Sequence, residues 1–189
     1  MKRREFFISA GAVSIVGCLG DSEQIEDMPR PVLGNSDNVL EVFADFACSH
    51  CATFHAEVFP DLYQNLIREG ELEYHHYDFP LTGTPSWSES AASAARAVQD
   101  YDENKFWEFI EWIYPNQDQY GLELVEEISN RIHIDPEPIV DAADNNTYNS
   151  VIMDDRSHGL DIGVEGTPTA ILNGQVVRPS YSSIENALR

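Results

Sequence analysis

Two cysteines three positions apart, Cys48 and Cys51, constrain this chain more than any other feature of its sequence. The pair follows the apolar run 39–44, which is typical of a buried strand, and it opens a stretch with apolar residues at helical spacing. The only other cysteine, Cys18, lies in a segment with the features of an export signal. The folded part therefore has one possible intramolecular disulfide, placed for chemistry rather than for stapling.

The position of the pair at a helix start predicts unequal roles for the two sulfurs. A thiol reacts as its thiolate, and the N–H groups at a helix N-terminus stabilise negative charge. We therefore expect Cys48 to be exposed and nucleophilic, and Cys51, one turn further in, to be more buried and to resolve mixed disulfides. Ser49 and His50 would set the redox poise, since a protonated His50 favours the Cys48 thiolate and so makes the disulfide a stronger oxidant.

Two other interpretations of the pair stay open on the residues alone. A structural disulfide across so short a loop would add only about 2 kcal/mol in the chain-entropy picture. A zinc site needs further ligands, and the chain has no second cysteine pair. His55, one turn beyond Cys51, would complete a partial metal site with Cys48 and Cys51.

The apolar pattern of the rest of the chain predicts an α/β fold with a block of helices in its middle. The predicted strands are 39–44, 72–79, 169–172 and 175–178, and the predicted helices are 48–69 with a kink at Pro60, 86–98, 104–114, 122–132, a short one from about 137, 147–157 and a terminal one. Gly159 would end the last helix of the block, and Asn173-Gly174 would turn a hairpin. Ser182 and Glu185 would form a capping box.

The charge balance excludes some classes of partner. The chain has 33 acidic and 11 basic residues, a net charge of −22, and its lysines are Lys2 and Lys105. Such a surface repels nucleic acid, so we expect no nucleic-acid partner. An acid-rich, lysine-poor surface indicates adaptation to high salt, where the screening length shrinks to roughly 3 Å at 1 M.

The first residues predict export and a lipid anchor. Arg3-Arg4 and a short apolar run resemble a twin-arginine signal, and residues 15–18 resemble a lipobox with Cys18 as the lipid-bearing residue. We therefore assign 1–17 to an export signal, 18–37 to a lipidated tether and 38–189 to the folded domain. The protein would be extracytoplasmic, held on the outer face of the cell membrane.

Four segments together carry a resemblance to a known family. They are the motif 45–51 around the cysteines, Phe54-His55 after it, the run 78–81 and the run 163–169, which contains Gly166-Thr167-Pro168-Thr169. In this order they resemble the DsbA-type thiol:disulfide oxidoreductases of the thioredoxin superfamily. The resemblance covers about 39–189.

The resemblance implies a fold, a reaction and partners. The fold would be thioredoxin-like, with a helical insertion at about 84–158 between the second and third strands. The Thr167-Pro168 peptide would be cis and packed against the sulfurs, and Thr167 backbone groups would hold an incoming peptide. The substrates would be thiol-containing exported proteins, a membrane redox partner would restore the disulfide, and no cofactor or metal is needed. We expect a monomer.

One position departs from the pattern of the family. A buried acid often stands six residues before the first cysteine and assists proton transfer, but here that residue is Val42. Glu41 should point to the other side of the strand, whereas Asp45 or water would be substitutes. The main function hypothesis is oxidation of protein thiols; the alternatives are a metallochaperone using Cys48, Cys51 and His55, or a thiol reductase for an exported protein.

Overall fold

A mixed five-stranded sheet runs through the computed structural model of the protein, which describes residues 28–83 and 87–189. The strands are β1 (Val32–Leu33), β2 (Val39–Ala44), β3 (Glu73–Asp78), β4 (Thr169–Leu172) and β5 (Gln175–Val177). They lie in the order β1-β3-β2-β4-β5, with β2 and β3 parallel and the other neighbours antiparallel. The central position of β2 explains its apolar run, because both of its faces are covered.

Helices cover the sheet, and five of them lie between β3 and β4, where the helical insertion was predicted. In chain order, the helices of the described residues are α1 (Ser49–Glu57), α2 (Phe59–Leu62), which continues in a π-helical turn (Tyr63–Ile67), α3 (Trp87–Tyr101), α4 (Glu103–Ile113), a 3₁₀ turn (Tyr114–Gln119), α5 (Leu122–Arg131), α6 (Pro136–Asn145), α7 (Asn149–Asp161) and α8 (Tyr181–Ala187). The break between α1 and α2 falls just before Pro60, which has no N–H to continue the helix. Within the described ranges, no helix is both long and apolar enough to cross a membrane.

The folded domain begins earlier than the sequence predicted. The tether was assigned to 18–37, but β1 pairs with β3, Val32 opposite His75 and Leu33 opposite Tyr74. The Pro29 carbonyl also accepts hydrogen bonds from the insertion. About half of the predicted tether is therefore part of the domain, and a two-residue strand is too short to show any periodicity. The predicted export signal, Cys18 and the start of the tether lie outside the described residues.

Gly159 does not end helix α7, contrary to the prediction. The helix continues to Asp161, and Gly159 is buried inside it. A Cβ atom at this position would come within 2.7 Å of a Phe79 ring carbon and 2.9 Å of a Phe43 ring carbon. The glycine is needed because α7 packs directly on two aromatic side chains of the sheet region.

We expect Gly159→Ala to destabilise the protein although alanine favours helix. The helix propensity gain is about 1 kcal/mol, and overpacking against the two rings costs roughly 1–3 kcal/mol. Ser157→Ala, an exposed change on the same helix, is the control and should shift the free energy of unfolding by less than about 0.5 kcal/mol. Denaturant unfolding in high salt measures both, and an alanine variant more stable than the parent would contradict the packing argument.

The two turn signals near the C-terminus had different outcomes. Asn173 and Gly174 form the predicted hairpin turn between β4 and β5, both with positive φ (50° and 78°). The capping box of Ser182 and Glu185 is wrong: α8 begins at Tyr181, after Ser180 as its N-cap residue. The Ser180 hydroxyl instead donates to the Ser183 hydroxyl at 2.9 Å, so the helix begins two residues earlier than its pattern indicates.

A buried ion-pair network joins the insertion to the sheet. Arg96 on α3 is fully buried; its Nε donates to Asp78 Oδ2 on β3 at 2.6 Å, and its Nη2 donates to Asp155 on α7. Nη1 donates to Gln99 at 3.0 Å and to the Pro29 carbonyl at 3.3 Å. Burial raises the pKa of Asp78, but Arg96 and His76 together outweigh burial and hold that pKa below its ordinary value.

Candidate active site

Cys48 stands at the junction of β2 and α1, as the N-cap residue of the helix. Its backbone is extended (φ −86°, ψ 119°), and its carbonyl accepts the N–H groups of Cys51 and Ala52, both at 3.1 Å. Its side chain makes no capping hydrogen bond. The sulfur nevertheless lies at the start of the helix, where the N–H groups of Cys51 and His50 favour its thiolate. Both cysteines are free thiols in this structure.

The two thiols differ strongly in acidity and less in exposure. Cys48 keeps 9% of its surface exposed and Cys51 keeps 1%. Cys48 is therefore the more exposed of the two, as predicted, but its exposed fraction is smaller than the sequence indicated. The hydrogen bond from the Cys51 thiol, helped by the Thr167 hydroxyl and by the N–H groups of Cys51 and His50, lowers the pKa of Cys48 to about 5 against the effect of burial. The same partnership with Cys48, together with burial, raises the pKa of Cys51 far above its ordinary value.

The loop before β4 faces the pair from the other side. The Thr167-Pro168 peptide is cis, as the resemblance implied, and the Cys48 thiol donates to the Thr167 carbonyl at 3.4 Å. The Thr167 hydroxyl is buried and accepts or donates no hydrogen bond within residues 28–83 and 87–189. It is thus free to donate to a thiolate, which is consistent with its lowering of the Cys48 pKa. The sequence pointed only to the Thr167 backbone.

The residues between the cysteines are both exposed. Ser49 contributes its carbonyl to the Thr53 hydroxyl at 3.1 Å, a bond inside the helix. His50 acts on Cys48 through its backbone N–H, whereas no contact in the described part of the chain joins its ring to either sulfur. The exposed ring is therefore placed to meet a substrate or solvent rather than the resting thiol.

His55 lies away from the sulfurs, in an aromatic stack. Its ring packs on Phe59 and Tyr114 with centroid separations of 4.8 and 4.9 Å, and burial lowers its pKa to about 4. Across residues 28–83 and 87–189, no group of three His, Cys, Asp or Glu side chains is arranged to hold a metal ion. The partial metal site of Cys48, Cys51 and His55 is therefore not assembled.

Asp45, the proposed substitute for the acid missing at Val42, has a different task. One carboxylate oxygen accepts the Ala47 N–H at 2.8 Å and the Ser88 hydroxyl, and the other accepts the Leu81 N–H at 3.0 Å. Its backbone carbonyl accepts the Cys48 N–H at 3.0 Å, and its backbone N–H donates to the Cys51 sulfur at 3.5 Å. Both carboxylate oxygens are engaged in holding the loop that carries the cysteines.

A buried polar pair lies on the strand next to Val42. Val42 lies beside His76 in the parallel β2–β3 register, and His76 is 1% exposed with its Nε2 3.3 Å from Asp78 Oδ1. Glu41 points to the opposite face of the sheet, as expected, where it accepts the Tyr77 hydroxyl at 3.0 Å. A buried polar pair thus stands next to the apolar Val42, on the neighbouring strand.

Gln117 reaches the cysteine loop from the insertion, and sequence reasoning missed it. Its Nε2 donates to the Phe46 carbonyl at 2.6 Å and to the Cys48 carbonyl at 3.0 Å. It also borders a groove of about 1010 Å³ between α1–α2 and α4, whose walls include Ala52, His55, Phe59, Trp107 and Tyr114. No local signal marks this residue, because it lies in a polar 3₁₀ turn far from the cysteines in sequence.

The chain is similar to known proteins in both sequence and structure. A family model described as "Thioredoxin" matches residues 27–189. The disulfide bond formation protein D of Bacillus subtilis is 26% identical over 169 residues, which are 84% of this chain and 75% of that protein. The crystal structure of oxidised BdbD from Bacillus subtilis superposes with a TM-score of 0.77 at 24% identity, covering 84% of this chain and 90% of that one. Chlamydia trachomatis DsbA gives 0.76 at 20% identity, with coverages of 84% and 88%.

Proposed function

The chain belongs to the thioredoxin family and is a DsbA-type thiol:disulfide oxidoreductase, and from this premise we propose that it oxidises cysteine pairs of exported proteins through a Cys48–Cys51 disulfide. The predicted thioredoxin-like fold with its helical insertion is confirmed, and so is protein disulfide oxidoreductase activity. The observation that carries the proposed roles is the unequal acidity of the pair. An acidic Cys48 beside Thr167 suits the sulfur that the substrate attacks and that later leaves as a thiolate, and a buried Cys51 suits the sulfur that leaves first and takes up a proton.

The reaction proceeds in two exchanges. A substrate thiolate attacks the Cys48 sulfur, the Cys48–Cys51 bond breaks, and the Cys51 sulfur leaves and takes up a proton, as its raised pKa favours. A second substrate thiolate then attacks the substrate sulfur of the mixed disulfide and expels Cys48 as a thiolate. The substrate loses two electrons and gains a disulfide, and the protein ends in its dithiol form. A redox partner in the membrane would restore the Cys48–Cys51 bond.

The acidity of Cys48 favours this direction. A leaving thiol of low pKa departs faster, and a stabilised thiolate makes the reduced protein the favoured product. The Cys48 pKa of about 5 supports the reduced form at neutral pH. Substrate backbone groups would align with Thr167 beside Pro168, and Ser49 at the exposed helix start would lie against the same substrate.

The equilibrium of the Cys48–Cys51 pair with glutathione tests the direction. We expect a potential near the roughly −120 mV of strong oxidants, whereas a value near roughly −270 mV would make the protein a reductant and overturn the proposed direction. The measurement belongs in molar salt. His50→Ser is the second arm: if the exposed ring contributes to the poise, the variant should be a weaker oxidant, and an unchanged potential would remove His50 from the catalytic set.

We also propose export and lipid attachment at Cys18, with the protein held on the outer face of the membrane. The proposal is supported by Arg3-Arg4, the short apolar run after it and the lipobox-like 15–18. Fractionation of the producing cells tests it. The parent should sediment with membranes and Cys18→Ser should be released, whereas equal distribution of the two would count against the anchor.

The acidic surface supports a further proposal, adaptation to high salt. With a net charge of −22, self-repulsion should destabilise the fold where screening is weak. Thermal unfolding in dilute buffer and in molar KCl measures the difference. Equal midpoints in the two solutions would contradict salt adaptation.

A further inference from the structure

Two residues of the helical insertion hold the cysteine loop by hydrogen bonds, one through the Asp45 carboxylate and one directly through backbone carbonyls. On one side Ser88 of α3 donates to the Asp45 carboxylate, which in turn accepts the Ala47 N–H at 2.8 Å. On the other side Gln117 donates both of its amide hydrogens, to the Phe46 and Cys48 carbonyls. The segment 46–48, which ends at the nucleophile, is thus fixed through its N–H side and its carbonyl side at once.

The Cys48 carbonyl accepts hydrogen bonds both from Gln117 and from the first turn of α1. It already accepts the Cys51 and Ala52 N–H groups, the first hydrogen bonds of α1, and the Gln117 amide at 3.0 Å is a third donor. The Cys51 N–H is also one of the two backbone N–H groups, with that of His50, that favour a thiolate at Cys48. The direction in which the Cys48 peptide points therefore governs how well the helix start faces its own sulfur.

We infer that Gln117 is a positioning residue of the reaction, which holds the Cys48 carbonyl so that the start of α1 stabilises the Cys48 thiolate. Gln117 touches no reacting atom and acts through the backbone. The inference rests on the proposed role of Cys48 as nucleophile, but its readout is the acidity of a thiol and needs no substrate. It gives the insertion a direct influence on the chemistry of the pair.

Removing the amide should affect acidity more than folding. The Cys48 carbonyl keeps its two helix donors when Gln117 is lost, and Gln117 is half-buried at the border of the groove, where water can replace it. Gln117→Met keeps the length of the side chain and removes both donors. The Cys48 pKa should then rise by roughly one unit, which at pH 5 lowers the thiolate fraction about five-fold.

The experiment measures the rate of Cys48 alkylation against pH on the reduced protein in high salt. Gln119→Met is the matched control, because Gln119 is exposed at the end of the same 3₁₀ turn and contacts only Asn116, at 3.5 Å, in the described structure. The control should keep the parent profile. A shifted profile in Gln117→Met with an unshifted control supports the inference.

Two results would overturn it. One is a parental Cys48 pKa in Gln117→Met together with a lower melting temperature, which would make Gln117 a purely structural contact. The other is an equal shift in both variants. If Gln117→Met does not fold, Gln117→Glu replaces it, because a carboxylate preserves the size and polarity of the side chain but cannot donate a hydrogen bond at neutral pH. Gln119→Glu controls for the added charge. An unshifted alkylation profile in Gln117→Glu then overturns the inference as well. If the parent protein does not oxidise thiols, the proposed function is refuted, but the pH dependence of Cys48 alkylation still tests the role of Gln117.

Discussion

Cys48→Ser abolishes thiol oxidation, the largest effect on activity that we expect from a single substitution. A serine hydroxyl can neither form the disulfide that accepts electrons nor be attacked as one. Cys51 cannot take over, because it is 1% exposed and its thiol resists ionisation. Oxidation of a reduced model substrate, followed by thiol titration, should fall to the rate of the uncatalysed reaction.

Cys51→Ser gives the complementary result. The Cys48 thiolate can still attack a substrate disulfide and displace one substrate thiolate, but no second sulfur of the protein resolves the mixed disulfide, so with a disulfide substrate mixed disulfides accumulate and appear as reducible species of higher mass. Thr53→Ala is the control, since Thr53 is exposed on α1 and its hydroxyl bonds only within the helix in the described structure. Residual catalysis in Cys48→Ser, above the control for uncatalysed oxidation, would refute the assignment of the nucleophile.

Arg96→Met should cause the largest loss of stability. The change leaves the Asp78 carboxylate, 1% exposed, without the cation that holds its pKa down, and it also removes the bonds to Asp155 and to the Pro29 carbonyl. Breaking a buried pair by removing one partner typically costs about 3–5 kcal/mol. That is a large part of the roughly 5–15 kcal/mol that stabilises an ordinary domain.

Chemical unfolding in high salt measures this loss, and two further variants interpret it. Arg68→Met removes an exposed arginine whose 3.5 Å contact with Glu69 lies in solvent, and such pairs contribute only about 0–1 kcal/mol. Arg96→Met combined with Asp78→Asn should recover part of the loss, because the uncompensated charge is then gone. A single Arg96 variant no less stable than the Arg68 variant would show that the network does not stabilise the fold.

The sequence was informative wherever a local pattern decided the structure. The Asn173-Gly174 turn, the break before Pro60 and the start of α1 behind Cys48 all follow from short-range chemistry, and the structure has each of them. Gly159 was misread because a glycine at a helix end and a glycine under an aromatic ring look alike in sequence. The difference depends on Phe43 and Phe79, which are distant along the chain.

The candidate site divides in the same way. Cys48, Cys51 and the Thr167-Pro168 motif were recognisable because their order and residue types are distinctive. Asp45 was noticed, but its bonds to Ser88 and Leu81 require the insertion to be folded over the loop. Gln117 left no signal at all, because its function comes from where a polar turn is placed rather than from its neighbours in sequence.

The early start of the domain at β1 has a mechanical consequence for a chain anchored at Cys18. Met28, where the described residues begin, lies only ten positions after Cys18, and even a fully extended chain of that length spans at most about 35 Å. A tether over the whole predicted range 18–37 would have had roughly twice that maximum length. If Cys18 carries the proposed lipid, this length keeps the cysteine pair close to the membrane surface. Lengthening the segment before Met28 should leave the redox potential in solution unchanged and slow reoxidation in membranes, whereas an equal rate there would argue against a short tether.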